Sequence, residues 1–127
     1  MTKPRIQSFK DLIVWQKAFE LCLEVYRATN NLPPEEKFGL TFELRKTSRS
    51  VPSNIAEGHE RHTTAEYLRF LDIASGSRAE LETQLLLAAA LGYLSEQDSK
   101  HLLDLCLEVA RLLKSLSRAL RSKARES

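Results

Sequence analysis

The sequence is short of most of what specialised protein classes are built from. Four glycines and four prolines in 127 residues are too few for the turns of an all-β sandwich. Its two cysteines, Cys22 and Cys106, sit in apolar helical patterns without C-x-x-C spacing. That argues against a disulfide framework and predicts two buried free thiols in a reducing compartment. A membrane helix needs about 18 uninterrupted apolar residues, and the longest run here, Leu85 to Leu91, has seven. The opening Met1-Thr2-Lys3-Pro4-Arg5 has no apolar h-region and no small-residue cleavage site. A signal peptide is therefore not expected, and the expected compartment is the cytoplasm.

Catalytic and metal signatures are equally scarce. There is no Gly-rich phosphate loop and no G-x-S-x-G. A di-iron bundle needs Glu-x-x-His on two helices, and the nearest match is Asp98-x-x-His101 at an exposed helix start. His59-Glu60-Arg61-His62 lacks the four-residue spacing of H-E-x-x-H and follows Gly58, a helix-ending residue on this reading, so a solvated loop is expected there. The sequence predicts no enzyme, no metal and no cofactor.

What is present is helix. The chain reads as a single domain, 1–127, with 43% hydrophobic and 28% charged residues. Start and stop signals predict four helices, over about 9–30, 34–57, 64–91 and 96–122, with 123–127 a disordered basic tail. Ser8 with Asp11 opens the first, and Pro33-Pro34 with Glu35 and Glu36 suits the first turn of the second. Gly58 is the expected left-handed stop of that helix. Thr63-x-x-Glu66 opens the third, Gly92 closes it, and Ser95-x-x-Asp98 opens the fourth. Tyr67, Leu71, Ala74, Leu81, Leu85 and Ala88 form the third helix's stripe, with Arg78 its polar gap. Short connections imply an all-α, antiparallel up-down-up-down four-helix bundle.

The terminal helices carry more apolar surface than one bundle needs. On the first, Leu12, Trp15, Phe19, Cys22 and Tyr26 form one seam; Val14, Ala18, Leu21, Val25 and Ala28 form another. The fourth pairs Leu102, Leu105, Val109, Leu112, Leu116 and Ala119 with Leu103, Cys106, Ala110, Leu113 and Leu120. A bundle helix needs one such stripe. Two stripes predict a further contact with other copies of the chain.

Several local sequences match a family pattern. They are Phe9-x-Asp11-Leu12-x-x-Trp15-x-x-Ala18, Leu32-Pro33-x-Glu35, the run Ser50-Val51-Pro52-Ser53-Asn54-Ile55-Ala56-Glu57-Gly58, Gly76-Ser77-x-x-Glu80-Leu81-Glu82, and Gly92-Tyr93-Leu94. Over about residues 8–118 the chain resembles the bacterial four-helix-bundle proteins encoded in intervening sequences of 23S ribosomal RNA genes. The resemblance implies a bundle assembled as a homo-oligomeric, pentameric ring; it implies no activity. It extends to a protein similar in fold, the accessory variability determinant of diversity-generating retroelements. That protein forms a pentameric barrel and uses basic surface to engage nucleic acid and a reverse transcriptase. Glu43 stands where the pattern has glutamine, so no role resting on an amide carries over there.

The shared residues Ser50, Pro52, Asn54, Glu57, Gly58, Gly76, Ser77 and Glu80 read mainly as structural, with a ligand or nucleic-acid pocket as the alternative. Pro52 inside a helix costs ~3 kcal/mol if uncompensated, and Ser48, Ser50, Ser53 and Asn54 are placed to answer its freed carbonyl. Gly76 costs about 1 kcal/mol against alanine, which predicts close approach of another helix. Ser77 and Glu80 would then meet Ser50 or Asn54.

Charge supplies the one functional asymmetry. The chain carries +2 overall, yet from Arg111 onward six cations face one carboxylate, so the remainder is net acidic. Arg111, Lys114, Arg118 and Arg121 step by three and four along one helical face. Arg45, Lys46 and Arg49 form a second cluster. Such residues commonly just solvate a helix and complement its dipole; repeated around a ring they form a band suited to RNA or DNA backbone. The aromatics read as core-facing, which argues against a single-strand stacking platform. The expected function is a non-enzymatic, oligomeric nucleic-acid-binding protein. The alternative is a protein–protein adaptor or scaffold docking an acidic partner such as a polymerase-type enzyme.

Overall fold

The computed structural model describes residues 5–126. These form α1 (Ile13–Thr29), α2 (Leu40–His59), α3 (Thr64–Ala90) and α4 (Glu96–Glu126), with 3-10 turns at Phe9–Asp11 and Pro34–Glu36. No strand occurs among the described residues. Each helix packs on its two neighbours around the bundle, α1 against α2 and α4, α3 against α2 and α4.

Local chemistry sets most of the boundaries. Ser8 Oγ accepts from the Lys10 amide at 3.1 Å, while the Asp11 carboxylate accepts from Gln7 and Ser8 amides at 2.9 and 3.2 Å. Those amide bonds, Gln7's first, hold the Asp11 carboxyl below its usual range. The cap closes a 3-10 turn rather than opening α1. Leu12 then leaves extended (φ −74°, ψ 127°), and the α-helix starts at Ile13. Thr63 and Ser95 cap α3 and α4 through the amides of Glu66 and Asp98, at 3.1 and 3.0 Å. Gly92, at φ +77°, ends α3: its amide bonds Ala89 O and that of Tyr93 reaches back to Ala88 O.

Four expectations need correction here. Pro33 and Pro34 do not start α2. They build a separate turn from which Glu36 folds back to accept from the Leu40 amide at 3.1 Å, so its side chain caps α2. Gly58 is not a left-handed stop but an internal residue of α2. A Cβ there would lie 2.8 Å from Phe70 Cβ and 3.2 Å from Tyr67 O, so Gly58 lets α3 approach. His59 is consequently the last residue of α2, half-buried edge-on against Tyr67, not a loop residue. And α4 continues in helix to Glu126 instead of fraying at Ser122; only Ser127 of the expected tail lies outside the described residues.

The core collects Val14, Ala18, Leu21, Val25 and Ala28 of α1, all buried, with Leu44, Val51 and Ile55 of α2. The predicted α3 stripe supplies Leu71, Ala74, Leu81, Leu85 and Ala88, and α4 supplies Leu102, Leu105, Cys106, Val109 and Leu113. Both α4 seams therefore serve this one core, with Leu103, Leu112, Leu116 and Leu120 packed half-buried against it. Less of the spare surface expected on α4 is left, Ala119 alone of its two seams being exposed. On α1 it remains: Trp15 and Cys22 are half-buried and Phe19 is 45% exposed. Pro52 is buried within an unbroken α2, flanked by bonds from Ser48 Oγ to Arg45 O and from Asn54 Nδ2 to Ser50 O.

Candidate nucleic-acid interface

The two basic clusters meet different fates. In α2, Arg45 faces the end of α1 and is half-buried there. Its Nε donates to Thr29 Oγ1 at 2.8 Å, and its Nη2 donates to Asn30 Oδ1 at 2.9 Å and Tyr26 O at 3.3 Å. The guanidinium also lies 4.9 Å from the Tyr26 ring centroid. Arginine here answers the end of a helix through one backbone carbonyl and two side-chain acceptors, which commit its Nε and Nη2 to the fold. Arg49 donates to Tyr26 Oη at 2.5 Å, and Lys46 lies over the Phe42 ring at 5.9 Å. Glu35, Glu36 and Glu43 neighbour them in sequence.

The cations of α4 are arranged otherwise. Arg111, Lys114, Arg118 and Arg121 are all exposed, and Lys114, Arg118, Arg121, Ser122 and Arg125 line one open cleft of about 250 Å³. Of these cations only Arg121 has a carboxylate near it among the described residues, Asp72 Oδ1 at 3.8 Å. A second hollow of about 310 Å³ adjoins it between α3 and α4, sharing Lys114 and Arg121 and adding Ser75 and Ser117. The reach of α4 explains this openness. Its 31 residues span about 46 Å and the 17 of α1 about 26 Å. Leu112 and Leu116 already lie beside Ile6, Leu12 and Ile13 at the start of α1, so the helix beyond them runs past it.

Arg125 belongs to this face and was not among the expected site residues, because 123–127 read as a disordered tail. The signal was present, since 121 to 125 continues the three-and-four spacing. The α2 and α4 clusters are not brought together: α2 and α4 are not neighbours in the bundle. The aromatics are not uniformly core-facing either. Phe38 is 86% exposed and Phe42 47% exposed, on the α2 side and away from the α4 cleft.

The shared small and polar residues divide as well. Ser50 Oγ meets Ser77 Oγ at 2.8 Å, and Asn54 Nδ2 donates to Ser50 Oγ at 3.0 Å, forming a polar bridge from α2 to α3 as expected. Glu80 takes no part in it; its carboxylate accepts from Gln84 on its own helix. Glu57 is exposed and ion-paired with Arg61 at 3.2 Å. Gly76 is not a point of close approach within the chain: a Cβ there would meet nothing within 4 Å.

Comparison with known proteins places this architecture. The profile described as 23S rRNA-intervening sequence protein matches residues 10–115. A crystal structure of a protein of unknown function from the S23 ribosomal protein family of Bacteroides thetaiotaomicron aligns with a TM-score of 0.78. Its identity to this chain is 24%, over 86% of this chain and 98% of that one, a likeness of fold. None of the curated proteins matches. Arg118, Arg121 and Arg125 lie beyond the matched span.

Proposed function

The chain belongs to the 23S rRNA-intervening sequence protein family, and from that membership we propose an oligomeric protein that binds RNA or DNA backbone, without catalysis, through the basic end of α4. The observation that carries the reading is the convergence of Lys114, Arg118, Arg121 and Arg125 on one open cleft, with a single distant carboxylate beside them. Phosphate contacts of this kind position a protein on nucleic acid without reading its sequence. Self-association, in a ring of five on the family's pattern, repeats the face and multiplies its charge.

The helices in this reading alternate up and down. Lys17 meets Glu108 at 3.5 Å while Glu24 faces His101 at 3.8 Å, and Ser50 meets Ser77 while Gly58 meets Phe70. No helix among the described residues is long and apolar enough to cross a membrane.

The test is electrophoretic mobility and fluorescence anisotropy with RNA and with duplex DNA across a salt series. Binding is expected to be insensitive to sequence and to weaken steeply, with a log–log slope near −0.9 per phosphate neutralised on duplex. If neither nucleic acid binds at low salt and micromolar protein, this reading fails, and the cations would then fit an acidic protein partner.

A further inference from the structure

α3 is apolar on both sides. Its inner stripe is buried, as a bundle helix requires, but its outer side carries Ile73, Leu86, Leu87 and Leu91, each 42–51% exposed. These apolar side chains stand exposed among Arg69, Asp72, Glu80 and Thr83, an apolar centre with a polar rim of the kind that marks an interaction surface. In the middle of that outer side stands Gly76, where a side chain would point into open space. An exposed glycine inside a helix costs about 1 kcal/mol against alanine, and nothing within the chain compensates for it.

Elsewhere the molecule has the converse shape. Trp15, Phe19 and Tyr26 stand along the outer side of α1, and with Phe9 of the preceding turn and Pro52 and Ala56 of α2 they border an apolar groove of about 500 Å³. Trp15 and Phe19 are stacked at 4.9 Å, with Phe9 edge-on to Trp15 at 5.3 Å, so its ring wall is ordered in advance. Arg49 lies on its rim, and Glu80 lies one turn from Gly76 on the outer side of α3. Neither is in an ion pair among the described residues: Arg49 is bonded to Tyr26 Oη and Glu80 to the Gln84 amide.

We infer that the outer face of α3 in one copy of the chain seats in the α1–α2 groove of the next, with Gly76 admitting the aromatic wall and Glu80 meeting Arg49. The inference rests on the self-association proposed above and names its surfaces. Charge complementarity is what selects a second copy: the ridge carries the acid and the groove the base that each lacks at home. Because ridge and groove are different patches, every copy offers one of each. The contact is head-to-tail, the kind that builds a ring where the rotation between copies closes, whereas a two-fold dimer would need one patch to face itself. It also gives Arg49 a role apart from phosphate.

Light scattering on a sizing column, with the full chain at micromolar concentration, tests it. The wild type should exceed the mass of a dimer. Arg49→Glu and Glu80→Arg should each weaken assembly at least about tenfold, like charges facing each other across the contact, and the double swap should restore it. Gly76→Leu should lose assembly while keeping the helical circular dichroism of the wild type, since its side chain meets nothing in the isolated chain. A monomeric wild type overturns the self-association reading itself. An assembled wild type whose mass ignores both single swaps, or is not restored by the double, overturns only this contact, as does a mass of two.

Discussion

The two basic helices show how little a cluster of cations means until its neighbours are known. α2 is wedged between α1 and α3, and its polar side chains are consumed by that position. Arg45 answers the end of α1, Ser50 and Asn54 reach α3, and Gly58 is flush against Tyr67 and Phe70. α4 outlasts α1, so beyond Leu116 one side of it faces α3 while Arg118, Arg121 and Arg125 are left to solvent. Arg45 on α2 therefore holds the fold, and cations on α4 remain available for something outside it.

The sharpest way to break that contrast is steric. Gly58→Leu in α2 should cost about 3 kcal/mol, because the Cβ alone falls within 2.8 Å of Phe70 Cβ and the rest of the side chain has no room. Urea denaturation with unchanged stability would show that α2 and α3 are less closely docked. Arg45→Ala should follow at about 2 kcal/mol, the range for removing a charged donor from partly buried acceptors. It should leave nucleic-acid binding per folded molecule unchanged. Loss of binding without loss of stability would reverse the roles assigned to the two clusters.

Arg118→Gln with Arg121→Gln is the complementary experiment. Stability should move by less than about 0.5 kcal/mol, as for surface changes generally. The log–log salt slope for duplex DNA should flatten by roughly two units per participating subunit. A smaller effect, on reactivity alone, concerns the inner side of α4. Burial pushes the Cys106 thiol up to about 12, so it stays protonated at pH 8, whereas Cys22 lies half-buried at the α1–α2 groove. Iodoacetamide on the folded but unassembled chain should label Cys22 and spare Cys106 until the chain unfolds. Because the folded state holds the Cys106 proton more tightly, the contribution to stability is intact below the ordinary thiol value of 9 and is lost as pH rises from there through about 12. Early labelling of Cys106 would mean that α4 is open on both sides.

The helices, their caps at Thr63 and Ser95, the stop at Gly92 and the core stripes of α1 and α3 were all legible in the sequence. Each depends on residues within a few positions of one another, or on a period of 3.6, and both are properties of the chain itself. The 3-10 turn at Pro34 was not legible, because it depends on the Glu36 side chain folding back to Leu40. Gly58 and Gly76 look alike as letters in helical surroundings, yet α3 rests on the first and nothing in the chain approaches the second. Arg45 and Arg118 are alike in the same way. Whether a cation is bound or free, or a glycine covered or bare, is set by residues far away in sequence that packing brings near. The sequence determined where the helices lie and which stripes they bury; only the tertiary structure decided which polar and small residues those helices had left to spare.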